Sequence, residues 1–286
     1  MIFSIYIISC DKIILNNNTN FKNANYIEKV YNFEDKFENV IINGNFEIEF
    51  VKCDSQYVVV DNIIEHSFSQ IRPIINLKNG DLIINELNNK IENKHINSYK
   101  FDDCSNKDNL KLNKSKLAKS KLDNSKLAQN KIDNIIKEND KQNNKQKLKL
   151  IIYTDRINKL KVTGNSKVYS NETFNLDSMK CFIEGNSYIN FNIVSNKFDI
   201  YSNGNSCFIL KGKVLNLKMD IVGNENINFN ELNIINSEIK IAGNSNVILK
   251  VEEKLKAEIL GNAKIILLNN PKIVESDITG KGFIRK

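Results

Sequence analysis

Apolar and polar residues alternate through most of this chain, and glycine sets the phase of the alternation. Take as origins the glycines of the Gly-Asn pairs, Gly44, Gly164, Gly185, Gly204, Gly223, Gly243 and Gly261, with Gly280 as a partial copy. Two positions before each origin stand Ile42, Val162, Ile183, Ser202, Ile221, Ile241, Ile259 and Ile278. Four positions after stand Ile48, Val168, Ile189, Phe208, Ile227, Val247, Ile265 and Ile284. Six after, the column is again mostly large and apolar: Phe50, Ser170, Phe191, Leu210, Phe229, Leu249 and Leu267. Two after, the residue is usually small, as at Ser166, Ser187, Ser206, Ser245 and Ala263. A spacing of two is the strand period, and the β-branched residues that fill the innermost columns suit a buried pleated surface. The positions between are largely polar, among them Lys161, Lys167, Asp220, Asn226, Lys240, Glu258 and Lys264. One face therefore turns inward and the other faces water.

From Gly164 onward the origins recur about every 19 residues, a period that belongs to stacked coils. Hairpins joined by two-residue turns would also use Gly-Asn, but the inward alternation runs in phase through each glycine. The expected fold is all-β, a β-solenoid resembling a parallel β-helix with coils of about 19 residues, interrupted by a low-complexity insertion. Both Gly and Asn tolerate positive φ, so the pair is expected to form the corner of each coil. Asparagines held at one height in successive coils would then hydrogen-bond into a ladder.

The chain carries 41 basic and 34 acidic residues, a net charge of +7. Its location decides its meaning: residues 106–147 alone hold 12 lysines and 5 acids. The remainder is close to neutral, which leaves nucleic-acid binding by the β body without electrostatic support. The same segment repeats Ser115-Lys116-Leu117, Ser120-Lys121-Leu122 and Ser125-Lys126-Leu127 every five residues, which is no helical period. It reads as a disordered or loosely helical insertion. The expected organisation is a signal- or lipoprotein-like start and tether at 1–31, the first part of the solenoid at 32–88, the basic insertion at 89–147, and the repeat part at 148–286.

An apolar run at the amino terminus ends in Ile7-Ile8-Ser9-Cys10, which resembles a bacterial lipobox. Cys10 would be lipidated and would tie the protein to a membrane of the cell envelope. Against this, no basic residue precedes the run, and the run is short for a signal peptide. No stretch is long enough for a transmembrane helix. Cys181 falls in an inward column and Cys207 in an outward one, so no bridge is expected between them. With Cys53 and Cys104 they read as buried or incidental thiols.

Candidate chemistry is sparse. The outward column three before Gly contains Asp220, Lys240, Glu258 and Asp277, which would bring Glu258 and Asp277 together on adjacent coils about 4.8 Å apart. They are either a carboxylate pair for acid–base work or part of a solvated charge column, and the intervening Lys240 favours the second. His66 and His95 lie outside the repeats and read as loop surface. No cofactor or metal motif is present. Phe182 and Tyr201 share an outward column on successive coils, with Tyr169 and Tyr188 on the neighbouring strand face. These four mark a candidate binding face for sugars or for a partner protein, or else a surface covered by the insertion or by the amino-terminal segment.

The order of motifs resembles the head GIN domain family, described as putative auto-transporter adhesins. The run from Phe37 to Phe50 matches the family's opening, and Asn79-Gly80-Asp81-Leu82-Ile83-Ile84 matches its turn and strand. The later repeats follow, then a closing Asn270-Pro271-Lys272-Ile273-Val274 and Gly280-Lys281-Gly282. The long insertion and the Gly-Asn corners depart from the family pattern. The resemblance implies a β-helix-like body on a secreted or surface protein, and it implies no established activity. The expected function is a non-enzymatic adhesive or structural module of the cell envelope, with surface glycans or envelope proteins as partners. The alternatives are a carbohydrate-active β-helix enzyme and an envelope-associated scaffold.

Overall fold

A computed structural model of the chain describes residues 27–63, 73–87 and 147–286. Cys10, Cys104, both histidines and nearly all of the 89–147 insertion lie outside the described residues. Every regular element described is a strand. The first six are β1 (Ile27–Asn32), β2 (Asn39–Asn43), β3 (Phe46–Val51), β4 (Tyr57–Ile63), β5 (Pro73–Lys78) and β6 (Asp81–Glu86). After the insertion come β7 (Leu148–Tyr153), β8 (Lys159–Gly164), β9 (Lys167–Gly185), β10 (Tyr188–Gly204) and β11 (Cys207–Gly223). The last are β12 (Asn226–Gly243), β13 (Asn246–Leu249), β14 (Val251–Gly261), β15 (Lys264–Leu267), β16 (Ile273–Gly280) and β17 (Phe283–Arg285).

The body is the expected β-solenoid. From β8 to β16 each coil pairs in parallel with the one before, glycine on glycine: Gly164 with Gly185, Gly185 with Gly204, and so on to Gly261 with Gly280. The inward columns are those of the alternation. Ile42, Ile48, Ile189, Ile227 and Ile265 are each at most 2% exposed. Phe50, Phe174 and Phe191 pack ring to ring, with centroids 5.5 to 6.4 Å apart.

Chain order is not spatial order at the first coils. β2 lies between β6 and β8, and β3 lies between β7 and β9, all in parallel. The bottom coil is therefore β6 followed by β7, and the insertion leaves and rejoins the body at that coil's corner. Where later coils carry Gly-Asn, this one carries Glu86, whose Oε2 accepts both the N–H and the Nδ2 of Asn45 at 3.0 Å. Below, the parallel stack ends in antiparallel strands: β5 on β6, and β4 on β7 with β1 beyond it. The β5–β6 hairpin turns on Asn79 and Gly80, both at positive φ (52° and 77°), as a tight turn between twisted strands requires.

The corner itself differs from expectation in one respect. The glycines alone take positive φ there; Asn79 is the sole non-glycine with positive φ among the described residues. The corner asparagines act instead through their amides. Each Nδ2 donates to the Oδ1 one coil earlier: Asn186 to Asn165, Asn205 to Asn186, Asn224 to Asn205, Asn244 to Asn224 and Asn262 to Asn244, at 2.8 to 3.2 Å. Inside the corner runs a second ladder. Ser187 Oγ donates to the Gly164 carbonyl (3.1 Å) and accepts the Ser166 N–H (3.2 Å), and Ser206 repeats both bonds one coil on. The hydroxyls give the Ser166 and Ser187 N–H groups a partner where the bend takes them out of the strand ladder, and a buried N–H left without one would cost about 1–3 kcal/mol. The glycine carbonyls they bond also accept the Asn186 and Asn205 N–H groups.

Candidate functional site

Outside the core, the three columns before each glycine form an extended face. Charges on it pair from coil to coil: Lys161 with Glu184 (3.3 Å), Lys240 with Glu258 (2.9 Å), Lys256 with Glu238 (3.8 Å) and Lys254 with Glu275 (2.7 Å). Such pairs in water contribute little to stability individually, but they leave the face nearly neutral. Glu258 and Asp277 do meet in register. The hydrogen bond and charge of Lys240 hold the Glu258 carboxyl below the usual range. A general acid needs the reverse, and the Glu258 carboxylate is taken up by its ion pair with Lys240. Among the described residues no three His, Cys, Asp or Glu side chains converge as metal ligands.

The four aromatic residues do not form one platform. Phe182 and Tyr201 stack on each other, centroids 4.9 Å apart and planes 9° from parallel. Each spends one face on the other, and both residues are half-buried. Tyr169 is half-buried across the corner, with Lys167 Nζ 4.9 Å from its ring and its hydroxyl donating to Glu49 Oε2 at 3.3 Å. Burial, reinforced by the charge of Glu49, pushes its hydroxyl up to about 12. Tyr188 is not exposed: it is 5% accessible, although it stands in an outward column. In the next coil Cys207 stands beside it in register, is 4% accessible and is disulfide-bonded, so this column is covered. Cys53 is disulfide-bonded as well, which corrects the reading of both as thiols. Cys181 is a buried thiol, pushed up to about 12 by desolvation.

Two buried acids escaped the sequence reading. Asp199 faces outward beside Tyr201, yet is 3% exposed, with Lys197 at 3.4 Å and Oδ1 without a partner. Glu225 is wholly buried at the position two after Gly223, where the corners from Gly164 to Gly261 otherwise carry Ser or Ala. Its Oε1 accepts the Ser202 hydroxyl at 2.8 Å, while Oε2 has no partner. Ser202 is the one polar residue in the column two before Gly, so the two exceptions answer each other across coils. The signal was present in the sequence as a double break of the pattern.

Burial drives the Glu225 carboxyl up to about 7, and the Ser202 hydroxyl and Ser206 N–H only partly offset it. The folded value lies above the ordinary 4.5, so the native state holds the proton more tightly than the unfolded chain. The associated stability is complete below about pH 4.5 and is lost as pH rises through about 7. It amounts to about 3 kcal/mol. Chemical denaturation of the wild type between pH 5 and pH 8 should show that loss, and Glu225→Gln should flatten the profile over the same range. An unchanged pH dependence in Glu225→Gln would place the titration elsewhere.

The fold and its outer face define a β-solenoid with a self-neutralised exterior. Residues 129–271, half of the chain, match the family described as "Putative auto-transporter adhesin, head GIN domain", and the chain belongs to that family. No curated protein matches the sequence. Among solved structures, a "putative adhesin" from Bacteroides fragilis NCTC 9343 is similar at 14% identity and a TM-score of 0.62. That alignment covers 92% of this chain and 97% of the other. A "putative adhesin" from Parabacteroides distasonis ATCC 8503 aligns at 15% identity and 0.56, covering 91% and 96%. A "putative lipid binding protein" from the same organism aligns at 14% and 0.54, covering 92% and 97%. At these identities the likeness extends to the fold.

Proposed function

We propose that this chain is a non-enzymatic binding module of the cell envelope, making adhesive or structural contacts along its extended outer face. The observation that carries the reading is the family match laid over a long face whose side chains repeat in register and whose charges are neutralised coil by coil. The disulfide-bonded Cys53 and Cys207 support an oxidising compartment, where such bonds persist. The half-buried Phe182–Tyr201 pair, with Tyr169 across the corner, is the first surface to test for contacts to glycans or envelope proteins.

The experiment is protease shaving of intact cells, with the amino-terminal peptide read by mass spectrometry. Surface placement predicts that the body is digested while a cytoplasmic marker survives. Protection equal to the marker's would overturn it. The same peptide decides the fate of Cys10. A lipid on its sulfur supports anchoring, and a sulfur that carries a lipid cannot also close a disulfide.

A further inference from the structure

Tyr201 has a ring face that its own column leaves open. Phe182 covers one side of the ring from the preceding coil. The following coil sets Asp220 beside it in register. Aspartate is short, so no large side chain of the column lies over the second side. One coil further Lys240 takes the same column, and its ammonium reaches away to Glu258 at 2.9 Å. The three residues frame a notch with an aromatic wall and a carboxylate floor.

Two residues before Tyr201, and about 7 Å away along the strand, Asp199 opens a groove. The groove has a volume of about 460 Å³, within the range of small-ligand sites. It crosses four coils, from Lys197 and Asp199 on β10, past Asn216 and Asn236, to Lys254 and Lys256 on β14. The Asp199 side chain is only 4% exposed, with Lys197 Nζ 3.4 Å from its Oδ2. Its Oδ1 has no partner. Buried acceptors are rarely left this way, and a donor supplied from the groove would remove the cost.

The lining selects a neutral ligand rich in hydroxyls. Each lysine of the groove is answered by a carboxylate: Lys197 by Asp199, Lys218 by Asp220 at 3.7 Å, Lys256 by Glu238 and Lys254 by Glu275. No net charge remains to select an ion. A paired carboxylate still keeps lone pairs and a paired ammonium still keeps N–H groups. A hydroxyl both donates and accepts, so it bonds to either member of a pair without parting them. A peptide adding as a strand finds nothing here, because the backbones of β10, β11, β12 and β14 are already joined in parallel ladders.

We propose that Tyr201, Asp220, Asp199 and Lys218 form a subsite for a neutral saccharide. A pyranose ring lays its C–H face on the open side of Tyr201, as apolar surface on an aromatic ring. Its hydroxyls bond to Asp220 and Lys218, and one donates to Asp199 Oδ1. The rest of the glycan lies in the groove against the Asn216 and Asn236 amides. This assignment of a ligand class rests on the outer face being a binding surface.

The test uses the purified full chain, so failure to bind sugar leaves the surface placement standing, and protection in the shaving experiment leaves the sugar site standing. Neutral hexasaccharides of glucose, mannose and N-acetylglucosamine are titrated by calorimetry beside hexagalacturonate, which carries a carboxylate on every ring. At least one neutral probe should bind with Kd below about 1 mM, more tightly than hexagalacturonate and with no loss as salt is raised. Tyr201→Ala and Asp220→Ala, each checked for an unchanged circular dichroism spectrum and urea midpoint, should weaken it at least tenfold. Three results would overturn the proposal: no binding of any neutral probe, tighter binding of hexagalacturonate, or neutral binding that survives Tyr201→Ala.

Discussion

Ile227→Asp should leave the protein without a cooperative unfolding transition at room temperature. Ile227 is 2% exposed and lies in register between Phe208 on the preceding coil and Val247 on the next, inside a column that is apolar throughout. An aspartate there has neither a cation nor a donor placed to meet it. It either stays ionised in an apolar interior or takes up a proton and still leaves polar atoms unpaired, at a cost of about 5 kcal/mol. That is comparable to the whole stability of many domains. Ile227→Val, which removes one methylene, should cost only about 1 kcal/mol. Circular dichroism melts of the two variants check the pair, and a cooperative, wild-type-like melt of Ile227→Asp would refute the assignment of that column to the core.

Gly223→Ala is expected to be nearly as damaging, for a different reason. The glycine has φ +132°, and a Cβ added to it would lie 2.0 Å from the carbonyl oxygen of Gly204. That oxygen also accepts the Asn224 N–H at 3.0 Å, so it cannot move aside without breaking the corner. Backbone strain and the clash together should cost about 4 kcal/mol. Gly80 provides the control, because it has φ +77° with no atom within 4 Å of the added carbon. Gly80→Ala should therefore cost only the left-handed penalty of about 1 kcal/mol. Urea midpoints measure the difference, and equal losses at the two sites would show that φ alone makes the repeat require glycine.

The inward columns and the glycine phase were legible because they are local: strand period and bend chemistry both act within one coil. The asparagine ladder was legible for the same reason, since a constant period places like residues side by side. What escaped depends on register between distant parts of the chain. Nothing near Phe46 says that it pairs with Leu148 on one side and donates its N–H to Ser166, just before β9, on the other. Tyr188 obeys the outward phase and is nonetheless covered, and phase carries no information about what lies over a face. The aromatic column of Phe182 and Tyr201 was visible, but whether rings meet a ligand or each other is settled by an angle. Glu225 was hidden by the expectation of small residues in its column, and only its bond to Ser202 shows why a carboxyl is tolerated there.

The placement of β2 and β3 inside the stack dictates when the protein can fold. Their upper neighbours lie 120 residues further along the chain, as the bond from the Phe46 N–H to Ser166 Oγ shows. A ribosome that has released the first hundred residues has delivered a coil with nothing to sit between. The repeats from β9 onward need only adjacent sequence, so they can zip together as they emerge. The amino-terminal strands must wait and dock on them, which makes this end the slow step in a fold otherwise built from short-range closures. Lengthening the insertion changes that wait very little. Each doubling of a flexible loop adds only about 0.6 kcal/mol to the cost of closing it, so the corner of the bottom coil is where this architecture can take on new sequence at small thermodynamic cost.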